Sequence, residues 1–172
     1  MKKIILLLVI LNLFIQCTQN DVAISDQYIY NGRGGIKCEV NGILLKPTPG
    51  FLYTHSSLSY HIDNGVPFLN LSFVNSSMSG QIIRMKIINV NPNTNLTGNT
   101  YELKSQLNSE SFGHYYGNDA DFYTNQNFTG EFKILYHDVG KRILGGTFWY
   151  DAENSTGVIC QIRNGQFDMT MN

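Results

Sequence analysis

The sequence predicts an all-β domain, an antiparallel β-sandwich or flattened barrel of about 8–10 strands joined by short hairpins. Three observations predict it. Apolar residues recur with a period of two in several short runs, the signature of strands buried on one face. Asn-Gly pairs at 41–42, 64–65 and 164–165 sit between such runs, where a two-residue turn needs positive φ at both central positions. Gly and Asn are abundant throughout, and no long helical period interrupts the pattern.

Taken in order, Gly34-Gly35 opens the domain. A first hairpin turns at Asn41-Gly42, with Val40 facing Ile43 and Cys38 facing Leu45 on the apolar side, and with Lys37, Glu39 and Lys46 toward solvent. Pro47 and Pro49 end it. A second hairpin turns at Asn64-Gly65 and pairs Leu58 with Leu71, Tyr60 with Leu69 and Ile62 with Pro67. Its other face carries Ser57 with Ser72, Ser59 with Asn70 and His61 with Phe68. Gln81 to Val90 is apolar on one side and mixed on the other, as a central strand would be. Asn91 to Asn95 breaks the chain, Thr100 to Leu103 is a short strand, and Phe112 to Tyr123 reads as a loop. From Phe128 to Met171 the pattern predicts a four-strand meander, with reversals at Asp138-Val139-Gly140-Lys141, Asn154-Ser155-Thr156-Gly157 and Asn164-Gly165. The last turn sets Ile162 against Phe167, Cys160 against Met169 and Val158 against Met171 on one face, and Gln161 against Asp168 on the other.

Ahead of the domain, Met1-Lys2-Lys3 and the apolar run from Ile4 to Ile15 have the charge and length of a signal peptide, too short for a permanent membrane span. The stretch Leu13 to Cys17 resembles the acylation site of bacterial lipoproteins, which implies a lipid on Cys17 and an outer-membrane lipoprotein of the cell envelope. The alternative is a conventionally cleaved secreted chain, though no A-x-A-like site stands nearby. The expected division is a leader at 1–16, a lipid-anchored polar tether at 17–32 that docks partly through Tyr28 to Tyr30, and one domain at 33–172. Without the leader, 10 basic residues stand against 13 acidic ones. No basic run or arginine–aromatic interleaving appears, so nucleic acid is not an expected partner.

Cys38-Glu39-Val40-Asn41-Gly42, Leu96-Thr97-Gly98-Asn99-Thr100-Tyr101-Glu102-Leu103, Gly130 to Ile134, Leu144 to Phe148 and Asn164 to Phe167 follow one another in a characteristic order. Together they resemble the small uncharacterised lipoproteins of Bacteroidota, over most of residues 34 to 171. The resemblance implies a β-sandwich lipoprotein, and it supplies no catalytic residue and no cofactor.

Cys38 and Cys160 form an even pair on inward faces, open either to a disulfide or to two buried thiols. The 112–123 loop joins His114, Tyr115, Tyr116 and Tyr123 to Asn118, Asp119 and Asp121. Such a loop can stack on a sugar and hold its hydroxyls, or can coordinate calcium; otherwise it packs on the sheet around an Asx turn. It lacks the downstream glutamate of an EF-hand. His55, His61, His114 and His137 have no metal-ligand spacing and read as exposed, so no metal site is expected. Trp149 has the outward parity of its strand and reads as packing against another layer, with an exposed patch as the alternative. No nucleophile elbow is present. These features favour a non-catalytic binding or accessory module for a glycan, peptide or protein partner. The competing classes are a hydrolase using Asp119, Asp121 or His114, and a structural envelope protein pairing through the sheet face around Trp149.

Overall fold

Asn41 and Gly42 have φ of 49° and 79°, and Asn64 and Gly65 have 48° and 80°, so the first two expected hairpins close as their dipeptides require. The computed structural model describes residues 29–45, 54–75 and 80–172. The leader, Cys17, Tyr28, Lys46 and both expected strand-ending prolines, Pro47 and Pro49, lie outside the described residues. The first hairpin joins β1 (Gly35–Val40) to β2 (Ile43–Leu45), and the second joins β3 (Thr54–Asp63) to β4 (Val66–Asn75). Their observed partners, Cys38 with Leu45, Leu58 with Leu71 and Tyr60 with Leu69, are those the alternation demands. Ile43 and Ile62 depart from the expectation: β2 is a short edge strand whose first residue projects past the core, leaving Ile43 69% exposed, and Ile62 keeps its pairing with Pro67 but lies next to the turn at the end of edge strand β3, 64% exposed.

The chain continues through β5 (Gln81–Ile88), β6 (Thr100–Leu103), a 3-10 turn at Gln106–Asn108, β7 (Phe112–Gly117), β8 (Ala120–Tyr123), β9 (Gly130–Asp138), β10 (Ile143–Glu153) and β11 (Ile159–Thr170). All pairings are antiparallel, and the eleven strands form one sheet curled into a half-barrel, nine of them in the order β2-β1-β11-β10-β8-β7-β5-β4-β3, with β9 branching from β10 and β6 pairing β9. β5 is central, between β4 and β7. β10 joins the two leaves. One of its edges bonds β11, while the other bonds β9 from Ile143 to Tyr150 and then β8 at Glu153. The curl brings the chain end back to the far edge, where the Asn172 amide donates to the Leu58 carbonyl at 2.9 Å.

Side chains from both leaves meet in a single core that includes Leu58, Leu71, Phe73, Ile83 and Met85 from one and Ile36, Phe132, Phe148, Ile162 and Phe167 from the other. Phe132 stacks on Phe167 with centroids 4.8 Å apart. Tyr150 lies fully buried between the leaves and donates its hydroxyl to the His114 carbonyl at 2.9 Å, which satisfies a polar atom the core would otherwise strand.

The meander has three strands, not four. Asn164-Gly165 is no hairpin turn but a bulge inside the continuous strand β11, where Phe148 pairs Gly165 and Tyr150 pairs Ile162. Asn164 alone of the two has positive φ, 52°. Gly165 is needed for space: a Cβ there would collide with the Phe148 carbonyl oxygen. A bulge and a hairpin turn both invert the inside–outside parity, so Cys160 and Ile162 before it and Phe167 and Met169 after it are buried in either arrangement. Val158, expected to face inward, is exposed, and Asp168, expected to face outward, is buried.

The buried Asp168 has a partner in the approaching chain. Its carboxylate accepts from the Gly32 amide at 2.7 Å and the Asn31 amide at 3.0 Å, and Tyr30 stacks on Tyr136 at 5.3 Å. Residues 30–32 are therefore docked on the domain, as part of the tether was expected to be.

A second bulge, at Leu135 of β9 opposite Gly145 and Gly146 of β10, turns His137 inward. His137 is buried, and its Nδ1 accepts from the Leu96 amide at 3.1 Å. The expectation of exposed histidines holds for His55 and His61 and fails for His114 and His137.

Cys38 and Cys160 are free, buried thiols. Register explains why they do not bond. Val40 pairs Ile162, so in antiparallel strands Cys38 and Cys160 lie four steps out of phase, roughly 13 Å along the strands, beyond the reach of a disulfide. Burial pushes both thiols up to about 12.

Candidate functional site

The segment expected as a loop is the β7–β8 hairpin. Asn118 and Asp119 occupy its two-residue turn with φ of 52° and 58°, a left-handed pair built without glycine because short polar side chains tolerate that region. Pairing then sorts the candidate residues by face. Tyr115 lies opposite Phe122 and points into the core at 3% exposure, with its hydroxyl accepting from Gln81 Nε2 at 2.9 Å. It is a packing residue, not a ligand contact. His114, Tyr116, Asp121 and Tyr123 share the outer face, with His114 opposite Tyr123 and Tyr116 opposite Asp121.

On that face His114 Nε2 lies 2.7 Å from Asp121 Oδ1, and its ring stacks under Tyr123 at 4.5 Å. Only 4% of His114 is exposed. Burial holds its pKa below the ordinary imidazole value, against the opposing pull of Asp121, and Arg84 opposite on β5 acts in the same direction as burial. No serine or threonine hydroxyl among the described residues bonds to His114. The ring is thus a stacked, carboxylate-oriented support for Tyr123. Tyr116 donates to Asp119 Oδ1 at 3.4 Å, and its own pKa is raised chiefly by that carboxylate. Asp119 and Asp121 therefore turn to different partners, and among the described residues no group of three or more His, Cys, Asp or Glu is placed to hold a metal ion.

Beside this hairpin an open cleft of about 840 Å³ runs between β8, the 3-10 turn and the β10–β11 turn. Asp119, Asp121 and Tyr123 line it together with Gln106, Leu107, Asn125, Glu153, Asn154 and Thr156. Leu107 is 92% exposed, carried outward on a turn capped by Ser105, whose hydroxyl accepts from the Leu107 amide. Asn125 Nδ2 donates to Glu153 Oε2 at 3.0 Å, and Asn154 Oδ1 organises the turn by accepting from Thr156 and Val158. Asp119 Oδ2, Asp121 Oδ2 and Glu153 Oε1 take no hydrogen bond from the described residues. The lining thus holds three carboxylates, several amides and hydroxyls, and no cation.

Sequence reasoning reached Asp119, Asp121 and Tyr123, which one hairpin brings together. It missed Gln106, Leu107, Glu153 and Asn154, which arrive from two other segments. The one available signal was a solitary leucine in the polar run Ser105-Gln106-Leu107-Asn108-Ser109. No protein-family model matches the chain, and no curated protein or solved structure is detectably similar to it.

Proposed function

We propose that this protein is a non-catalytic binding lipoprotein of the cell envelope, anchored through Cys17, whose β8 cleft takes a neutral, polyhydroxylated ligand such as a glycan. The observation that carries the reading is the chemistry of the cleft wall. Carboxylates accept from hydroxyl groups, amides serve as both donors and acceptors, and Leu107 with Tyr123 offers apolar surface to the carbon face of a sugar ring. Three acids without a base disfavour anionic ligands by like-charge repulsion. The rigid sheet beneath fixes β8, so the cleft is preorganised on one side.

The test is a neutral-glycan panel read by calorimetry, with the Leu107→Ala/Gln106→Ala double variant beside the parent. Both residues are exposed, so folding should not change. Binding by the parent, weakened about tenfold or more in the variant, supports the reading, since one lost apolar contact and one lost hydrogen bond reach that size. Equal binding by both proteins, or none by the parent, refutes it.

A further inference from the structure

The outward residues of β10 are Thr147, Trp149, Asp151 and Glu153, alternating with buried Phe148, Tyr150 and Ala152. Glu153 belongs to the β8 cleft. Four strand steps away, about 13 Å along the same face, Trp149 stands 41% exposed beside a shallow groove of about 480 Å³ that Thr147, Arg163, Asn164 and Gln166 also line. Trp149 does not pack against a second layer, as its outward parity had suggested it would.

Its setting is built and rigid. The Arg163 guanidinium lies 5.5 Å from the indole centroid. Arg163 is itself held by Asp151, and its Nη1 donates to the carbonyls of Tyr150 at 3.1 Å and Ile162 at 2.9 Å. The Asn164-Gly165 bulge in β11 lies opposite Phe148–Tyr150, the kind of break in pairing that re-aims side chains beside functional sites. The groove offers one braced aromatic, uncharged amide and hydroxyl groups from Asn164, Gln166 and Thr147, and a cation already neutralised by Asp151. A protein interface would want a wider apolar patch than a single indole among polar groups.

We infer that Trp149 is a second aromatic subsite for the same ligand, which is an extended oligosaccharide lying along the outer face of β10 from the Leu107–Tyr123 cleft, past the Asp151–Arg163 pair, to the indole. The inference rests on the glycan reading of the β8 cleft and adds the ligand's length and direction. A disaccharide fills the cleft alone, while a longer chain reaches Trp149.

The chain contains a single tryptophan, so its emission reports this subsite alone. The full-length protein is titrated with glucose, mannose and N-acetylglucosamine oligosaccharides of graded length, followed by tryptophan emission and by calorimetry. Longer chains should change the emission and bind about tenfold or more tightly than disaccharides, a factor worth 1.4 kcal/mol. Trp149→Ala should bring the long chains down to the disaccharide affinity without altering disaccharide binding, and Trp149→Phe should retain part of the gain. Affinity independent of length, with unmoved emission and with binding still lost in Leu107→Ala, overturns this inference and leaves the cleft standing. Failure of every sugar to bind overturns both.

Discussion

Replacing Asp168 with asparagine tests how the chain entering the domain is secured. The carboxylate is 1% exposed and accepts two backbone amides, Gly32 at 2.7 Å and Asn31 at 3.0 Å. Hydrogen bonds to a charged group contribute about 1.5–3 kcal/mol each. Asparagine has the same shape but only one acceptor oxygen, so it keeps one of these bonds and turns an NH₂ toward the other amide. Relief of the buried charge offsets part of the loss, leaving an expected destabilisation of about 2 kcal/mol. For a domain of this size that lowers the melting temperature by roughly 8 °C. Thermal unfolding by circular dichroism measures the total. Hydrogen exchange locates it: the amides of Asn31 and Gly32 should lose protection while those of β9 and β10 keep it. A melting temperature within 2 °C of the parent, with both amides still protected, would refute the anchoring role of Asp168. Tyr30→Leu, which removes the stack on Tyr136, should loosen the same residues without touching the carboxylate.

Further predictions follow from the core and its titrating groups. Gly130→Ala should cost about 3 kcal/mol or more in urea unfolding, because the new Cβ would clash with the Trp149 carbonyl oxygen and Tyr150 Cβ, well inside contact distance, and backbone cannot yield cheaply. His114 and His137 are both held below the usual imidazole pKa by burial, so the unfolded chain binds protons more readily than the folded one. Stability should be level above about pH 6.5 and should fall as the pH drops below it. His137→Asn should reduce that slope, and an unchanged slope in the variant would remove His137 from the account. Cys38 and Cys160 should resist a thiol reagent in the native protein and react after unfolding, and a native mass two hydrogens lighter, marking a disulfide, would contradict the register.

Most of the sheet could be read from alternation and turn chemistry, and the two bulges that could not be share one cause. Asn41-Gly42, Asn64-Gly65 and Asn164-Gly165 are the same dipeptide, each set between runs of alternating polarity, yet the third lies within a strand. Positive φ at the asparagine is common to all three, and what differs is the neighbour. Phe148 leaves Gly165 no room for a Cβ, a fact about β10 that no window around residue 165 contains. The bulge at Leu135, set by its pairing with Gly145 and Gly146 of β10, hid the burial of His137 in the same way. Conversely, Asn118-Asp119 forms a two-residue turn without glycine, so a real hairpin read as a loop. The cleft was legible where it is local, at Asp119, Asp121 and Tyr123. It was illegible at Leu107 and Glu153, because only the passage of β10 from one leaf to the other brings those segments together.

That strand order also sets a timetable. β1 lies between β2 and β11, and Asn41 meets Gln161 across 120 residues of chain. At the usual pace of synthesis, about 5–20 residues per second, the first strand waits roughly 6–24 s for its partner to be made. Throughout that interval Ile36, Cys38 and Val40 have only the three residues of β2 beside them, too little to hold a hairpin in water. The beginning of the domain is therefore the last part able to settle, and shortening its end removes not a tail but the neighbour for which the first strand has been waiting.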